Sequence, residues 1–320
     1  MFRVSAAMAL GALAAAALVA APAQQTVFRT SSDVVRVFAT VTDKDGRLVT
    51  KLDKDAFEVR DEGKPQPITL FDNTPQPVRL IVMLDVSGSM AGNLPLLRAA
   101  SEELVLRLRA ADLARIGSFG REITISPEFT KNIEELRRAI PQTIPQDAPT
   151  PLWRGIDQAM DGFGEKDKAE ARSVILVLSD GKDNDVSPAA WSHHPASQAE
   201  VIDHARAADV MIYAVAMRSR SGRPLPPAFG PGGLQAALTA DLPDPGLARV
   251  AEETGGGYIE IRFGDDLGDA FAGVADELHS QYLLGFAPPK RDGKSHAIEV
   301  KLSQRGLKPR ARKSYVAPKA

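Results

Sequence analysis

Three segments of this chain are apolar almost from end to end: VRLIVMLD at 78–85, SVILVLSD at 173–180 and VMIYAVAM at 210–217. Each is the length of a strand and too short for a helix buried on every side. A strand with one wet face alternates apolar and polar residues. Strands without that alternation must be covered on both faces, which is the condition of a mostly parallel sheet. The intervening segments NLPLLRAASEELVLRLRA, NIEELRRAI, LWRGIDQAMDGF and ASQAEVIDHARAA place apolar residues at helical spacing. ARIGSFGREITI adds a strand pair, and LARVAEETG, GYIEI and DLGDAFAGVADELHSQ carry the rhythm to residue 281. The expectation over residues 78–281 is an α/β domain with a Rossmann-like, doubly wound, mostly parallel sheet.

The flanks read differently. Over residues 32–74, DVVRVFATVTDKDGRLV and AFEVRDEGKPQPITLFD alternate apolar and polar residues and turn at Asp45-Gly46 and Glu62-Gly63, as antiparallel strands do. Pro75 and Pro77 form a stiff junction, because proline fixes φ and disfavours helix before it. Residues 282–320 return to β in YLLGF, HAIEVKLS and LKPRARKSYV, the last two expected as a hairpin across QRG. A strand of the N-terminal segment and this hairpin would together make one β-rich domain, with the α/β domain inserted between them. Residues 218–245 contain SRSGRPLPPAFGPGG and DLPDPG; a loop of that length without structure of its own is functional or disordered.

The N-terminus MFRVSAAMALGALAAAALVAAPAQQ runs from a basic residue through an apolar stretch to Ala21-Pro22-Ala23. That order predicts a signal peptide over residues 1–23, cleaved after Ala23, with an uncleaved anchor as the alternative. The expected location is periplasmic or secreted, with no stable membrane insertion after cleavage. Cysteine is absent, so neither disulfides nor thiolate metal sites are available. The net charge of −2 gives no global bias towards nucleic acid. Residues 290–320 hold ten Lys/Arg against two Asp/Glu, but in LKPRARKSYV the basic residues fall mainly on one side of a period-2 pattern. With hardly any aromatic residues among them, a solvated strand face is expected and a nucleic-acid patch is not.

Ligands of an open parallel sheet bind beyond the carboxyl ends of its strands. Two of the apolar runs end there in a carboxylate, Asp85 and Asp180, and Asp85 is followed at alternate positions by Ser87 and Ser89. Neither acid can be buried unpaired at tolerable cost. Two carboxylates and several hydroxyls on one edge suit a hard divalent cation: Mg²⁺ takes six oxygens at about 2.0–2.1 Å.

DVSGSM resembles the D-x-S-x-S of von Willebrand factor A domains. Their metal-ion-dependent adhesion site, or MIDAS, uses that Asp and both Ser, a Thr from a later loop and an Asp at the end of the fourth strand. Here Asp85, Ser87 and Ser89 match the first element, Thr150 in APTPLWRGI the second and Asp180 in LSDGKDN the third. The loop before Thr150 departs from the family in carrying Ala148-Pro149 in place of glycine. The flanks resemble exported bacterial proteins in which such a domain lies between a β-rich segment and a C-terminal YLLGF with a terminal hairpin. The resemblance implies a Mg²⁺ site, or one for Mn²⁺ or Ca²⁺, with one position left for an Asp or Glu of a partner protein, and no catalytic residues. In related domains ligation is coupled to a shift of the last helix.

Other readings of the same residues compete. Asp and Ser also cap helices, and Ser89 suits that role. An Asp after the first strand of an α/β sheet can be a nucleophile beside Mg²⁺, with Asp183, Asp185 and Lys182 as partners for a phosphatase or esterase; serines at the alternate positions argue against it. VSGSM lacks the G-x-S-x-G spacing of a serine hydrolase. His193 and His194 are expected as exposed loop histidines, because adjacent residues rarely meet one zinc. Trp153 and Trp191 are expected as packing anchors, and Gly255 to Gly257 as a helix stop.

Overall fold

The computed structural model describes residues 34–164, 171–180, 182–185, 196–217, 243–262 and 265–319. The expected signal segment, Trp191, His193, His194 and residues 218–242 lie outside the described residues.

A six-stranded sheet forms the centre of the chain. It is built from β5 (Val78–Asp85), β6 (Leu113–Phe119), β7 (Ile123–Ile125), β8 (Arg172–Ser179), β9 (Val210–Met217) and β10 (Tyr258–Ile261), in the spatial order β10-β9-β8-β5-β6-β7. Every pairing is parallel except the β6–β7 hairpin at one edge. The apolar runs are apolar throughout because both sheet faces are covered, and alternate residues serve different cores. Leu80, Val82, Leu84, Leu176, Leu178, Tyr213 and Val215 pack against α1 (Leu94–Arg107), α2 (Ile133–Ala139) and α6 (Leu267–Leu278). Ile81, Met83, Ile175, Val177, Ile212 and Ala214 pack against α3 (Leu152–Met160), α4 (Gln198–Ala208) and α5 (Pro245–Thr254). Trp153 is buried in this second core, as a packing anchor should be.

Helix ends follow their local chemistry. Asn132 accepts from the amides of Glu134 and Glu135 at the start of α2, and Ser197 with Glu200 forms a reciprocal capping box at α4. Asp244 precedes Pro245 at the start of α5, and Gly255 ends that helix at φ 82°, a left-handed position that favours glycine.

The terminal segments interleave into two further sheets. One has the order β13-β1-β11-β4, from Lys308–Arg310, Val35–Thr42, Tyr282–Phe286 and Leu70–Asp72; the other is β14-β12-β2-β3, from Ser314–Val316, Ser295–Leu302, Phe57–Asp61 and Lys64–Gln66. Their inward residues, including Val37, Val59, Tyr282, Phe286, Ile298 and Tyr315, share one core. Each sheet takes strands from both ends of the sequence, so the chain is an α/β fold with a β-rich part assembled from its N- and C-terminal segments.

The expected hairpin across QRG forms only in part, through the antiparallel pairing of β14 with the start of β12. LKPRARKSYV splits at residues 311–313: β13 pairs with β1 in one sheet and β14 with β12 in the other. The expected solvated basic face is corrected for two of its residues. Arg310 reaches Glu277 of α6 and lies over the Tyr213 ring, while Arg312 pairs with Asp209 and donates to the Arg36 carbonyl. These guanidiniums follow a change of sheet, so the simple two-residue alternation fails there.

Candidate metal centre

The strand order reverses direction at β5. The chain leaves β5 to build β6 on one side and later returns to place β8 on the other, so the crevice at the carboxyl end of β5 is the binding position of such a sheet. The register pairs Leu84 with Leu178 and Asp85 with Phe119. Asp85 and Ser179 therefore end neighbouring parallel strands, with Asp180 one residue beyond.

Both carboxylates are fully buried, and Ser87 and Thr150 nearly so; Ser89 is exposed and marks the solvent side. Asp85 Oδ2 accepts from Ser179 Oγ at 2.6 Å, and its Oδ1 accepts from the Ser87 amide at 2.8 Å. The Ser87 and Ser89 hydroxyls lie 3.1 Å apart, and Ser89 Oγ donates to Asp180 Oδ1 at 2.8 Å. A continuous hydrogen-bonded path thus joins Asp85, Ser87, Ser89 and Asp180. After Ser87 the backbone turns into a 3-10 segment, Gly88–Asn93, that leads into α1, and the Met90 side chain is buried in the core behind the loop.

Thr150 reaches this edge on a separate loop. The Gly88 amide donates to the Ala148 carbonyl at 3.1 Å, and a β-carbon on Gly88 would stand 2.0 Å from the Gln146 carbonyl oxygen. Only glycine lets the two loops meet so closely. Asn184 brackets Thr150, its amide donating to the Thr150 carbonyl and its side chain accepting from the Thr150 amide. Ala148-Pro149 thus occupy the family's glycine position while the loop stays docked. The docking runs through backbone groups and the Asn184 side chain, and the Thr150 side chain is buried at the same edge.

Charge in this crevice is held under strain. Burial pushes the Asp85 carboxyl up to about 6, against hydrogen bonds from Ser179 and Ser87, and the nearby Asp180 charge adds to the rise. Asp180 is raised by burial as well, opposed by Ser89. Two buried acids that ionise reluctantly, with only oxygen donors around them, form a set suited to a hard cation.

Asp183 and Asp185, two of the three partners named for a hydrolase, with Lys182 the third, are engaged elsewhere. Asp183 Oδ1 accepts from the Trp153 amide at 3.1 Å and so caps α3, whose N-cap position is Pro151 and has no side-chain acceptor. Asp185 holds Arg154 of the same helix through bonds of 2.6 and 3.2 Å. Ser179, Gly88 and Asn184 carry no signal of these roles in the sequence. Ser179 stood beside Asp180 in LSD, but its place opposite Asp85 depends on the register of two strands 94 residues apart.

The family model for the von Willebrand factor type A domain matches residues 80–182. Solved structures of similar fold include an aerotolerance-related membrane protein from Bacteroides fragilis, 15% identical over 63% of this chain and 98% of that one, with a TM-score of 0.43. A von Willebrand factor type A protein from Catenulispora acidiphila is 12% identical over 91% and 76%, with a TM-score of 0.45. Proximal thread matrix protein 1 from the mussel byssus, in a structure with a zinc-occupied MIDAS motif, is 16% identical over 64% and 48%, with a TM-score of 0.46. No curated protein matches the chain.

Proposed function

Taking as premise that the α/β body of this chain is a von Willebrand factor type A domain, we propose that it is a metal-dependent binding module that captures an acidic side chain of a partner protein. The observation that carries the reading is the pair of buried carboxylates at adjacent strand ends, linked through the Ser87 amide and the Ser87 and Ser89 hydroxyls. Asp85, Ser87, Ser89, Thr150 and Asp180 would hold the cation. Mg²⁺ is the first choice for an all-oxygen set, with Mn²⁺ or Ca²⁺ as alternatives. A bound cation supplies an electrophilic position for a carboxylate, and the two aspartates only balance its charge. The zinc-occupied MIDAS of the mussel protein is in keeping with a divalent ion here.

In this reading the module acts without turnover; in support, two of the three partners of the hydrolase alternative, Asp183 and Asp185, hold α3. It is exported, by the signal segment read at residues 1–23, and among the described residues no helix is long and apolar enough to cross a membrane. Calorimetric titration of the metal-stripped protein with Mg²⁺ and Mn²⁺ tests the reading. Saturable binding by the wild type that Asp85→Ala abolishes is the expected result. Equal binding by both, or turnover of generic phosphate or ester substrates, would overturn it.

A further inference from the structure

The sheet β14-β12-β2-β3 carries a second cluster of ligating side chains, on strands that take no part in the six-stranded sheet. Asp61 ends β2, Glu62 begins the turn into β3, and His296 lies near the start of β12; one donor atom from each lies within 4.8 Å of the others. Asp61 is 2% and His296 4% exposed, whereas Glu62 is at the surface. His296 stands opposite Tyr315 in the β12–β14 register, with ring centroids 5.5 Å apart.

Two buried ligand atoms of this cluster, Asp61 Oδ1 and His296 Nδ1, make no hydrogen bond; they face each other, and the Tyr315 hydroxyl lies against the Asp61 carboxylate. A buried polar group left unmet costs about 1–3 kcal/mol, and an ion between Asp61 and His296 would satisfy both. His296 Nδ1 and Asp61 Oδ1 are 3.3 Å apart. That is close to the edge of a ligand tetrahedron around zinc, about 3.3–3.4 Å for bonds of about 2.0–2.1 Å.

The surroundings are those of a metal-binding histidine. Asp292 Oδ1 lies 3.1 Å from His296 Nε2. Placing the ring proton on Nε2, as a donor to Asp292, leaves the Nδ1 lone pair facing Asp61, and such an outer carboxylate fixes both ring orientation and tautomer in metal sites. Glu62 Oε1 accepts from the Ala297 amide at 2.8 Å, which tethers this exposed side chain beside the strand carrying His296. No thiol competes, because the chain has no cysteine.

We propose that Asp61, Glu62 and His296 Nδ1 form a second divalent-metal site, of the zinc type with three protein ligands and one open position, oriented by Asp292 and independent of the crevice at Asp85. Its ion clips the β2–β3 turn to the start of β12. Those strands come from opposite ends of the sequence, so the ion adds to the closure of the terminal sheets.

The test uses Co²⁺ as a visible probe in the Asp85→Ala protein, where the first site is disabled. The expected result is one equivalent of Co²⁺ with the strong visible bands of low coordination, displaced by Zn²⁺, and a melting temperature that rises with added Zn²⁺. Adding Glu62→Gln or His296→Asn to that background lowers the affinity by about tenfold or more. Glu62 is exposed, so its variant decides the matter even where His296→Asn fails to fold. Absence of Co²⁺ uptake by Asp85→Ala, or the same titration with Glu62→Gln added, would overturn the proposal and leave Asp61 and His296 as an ordinary ion pair.

Discussion

Asp85 holds the proposed first site together, and its titration gives a prediction with a definite sign. Its folded pKa of about 6 is above the unfolded value of about 3.9, so without metal it contributes stability below pH ~3.9 that is lost as the pH rises through 6. In chelator, the wild type should therefore lose thermal stability relative to Asp85→Asn between those pH values, and excess Mg²⁺ should restore it. A difference that stays constant with pH would refute this. The proton and the cation compete for the same carboxylate, so metal affinity should fall about tenfold per pH unit below 6. Gly88 supplies a second prediction: in Gly88→Ala the new methyl group would meet the Gln146 carbonyl, pushing the Thr150 loop away. Metal affinity should drop about tenfold or more with folding retained; calorimetry beside circular dichroism checks both. At this scale Asp85, Ser87, Ser89, Thr150 and Asp180 could be picked out from spacing and family resemblance. Gly88 and Ser179 could not, because their roles exist only once two loops and two strands are in register.

Among the elements, α6 joins the two parts of the molecule. Its Glu277 accepts from Thr40 of β1 at 2.9 Å and is also bound by Tyr213 of β9 and Arg310 of β13. The Tyr213 hydroxyl also accepts from Gln281 at 3.0 Å, and burial holds its proton far above the usual range, with the Glu277 charge adding to the rise. Glu277→Ala would leave Arg310 and the tyrosine without their acceptor, a loss of about 2 kcal/mol. Denaturant unfolding should show it, and a change below 0.5 kcal/mol would mean that the network contributes little. The tether also bears on any shift of the last helix on ligation, since α6 cannot slide without breaking it. The helices themselves were legible from apolar spacing. The cap of α3 was not, because its acceptor is Asp183 on another loop, and the split of LKPRARKSYV was hidden because both of its halves follow a strand pattern.

Across the whole molecule, the alternation of buried strands with helices was readable as a doubly wound sheet, and the two-residue patterns at both ends as a β-rich companion. Which terminal strands pair was decided by long-range packing: β1 and β11, about 245 residues apart in sequence, are neighbours. The result is one chain with two proposed sets of metal ligands, an all-oxygen crevice at the strand ends of the α/β sheet and a histidine-containing cluster on a terminal sheet. The account depends most on the first of these. Anomalous diffraction from crystals soaked in Mn²⁺ tests it most directly: a peak among the side chains of Asp85, Ser87, Ser89, Thr150 and Asp180 is the expected result. Full Mn²⁺ occupancy elsewhere with no peak at these five residues would contradict it.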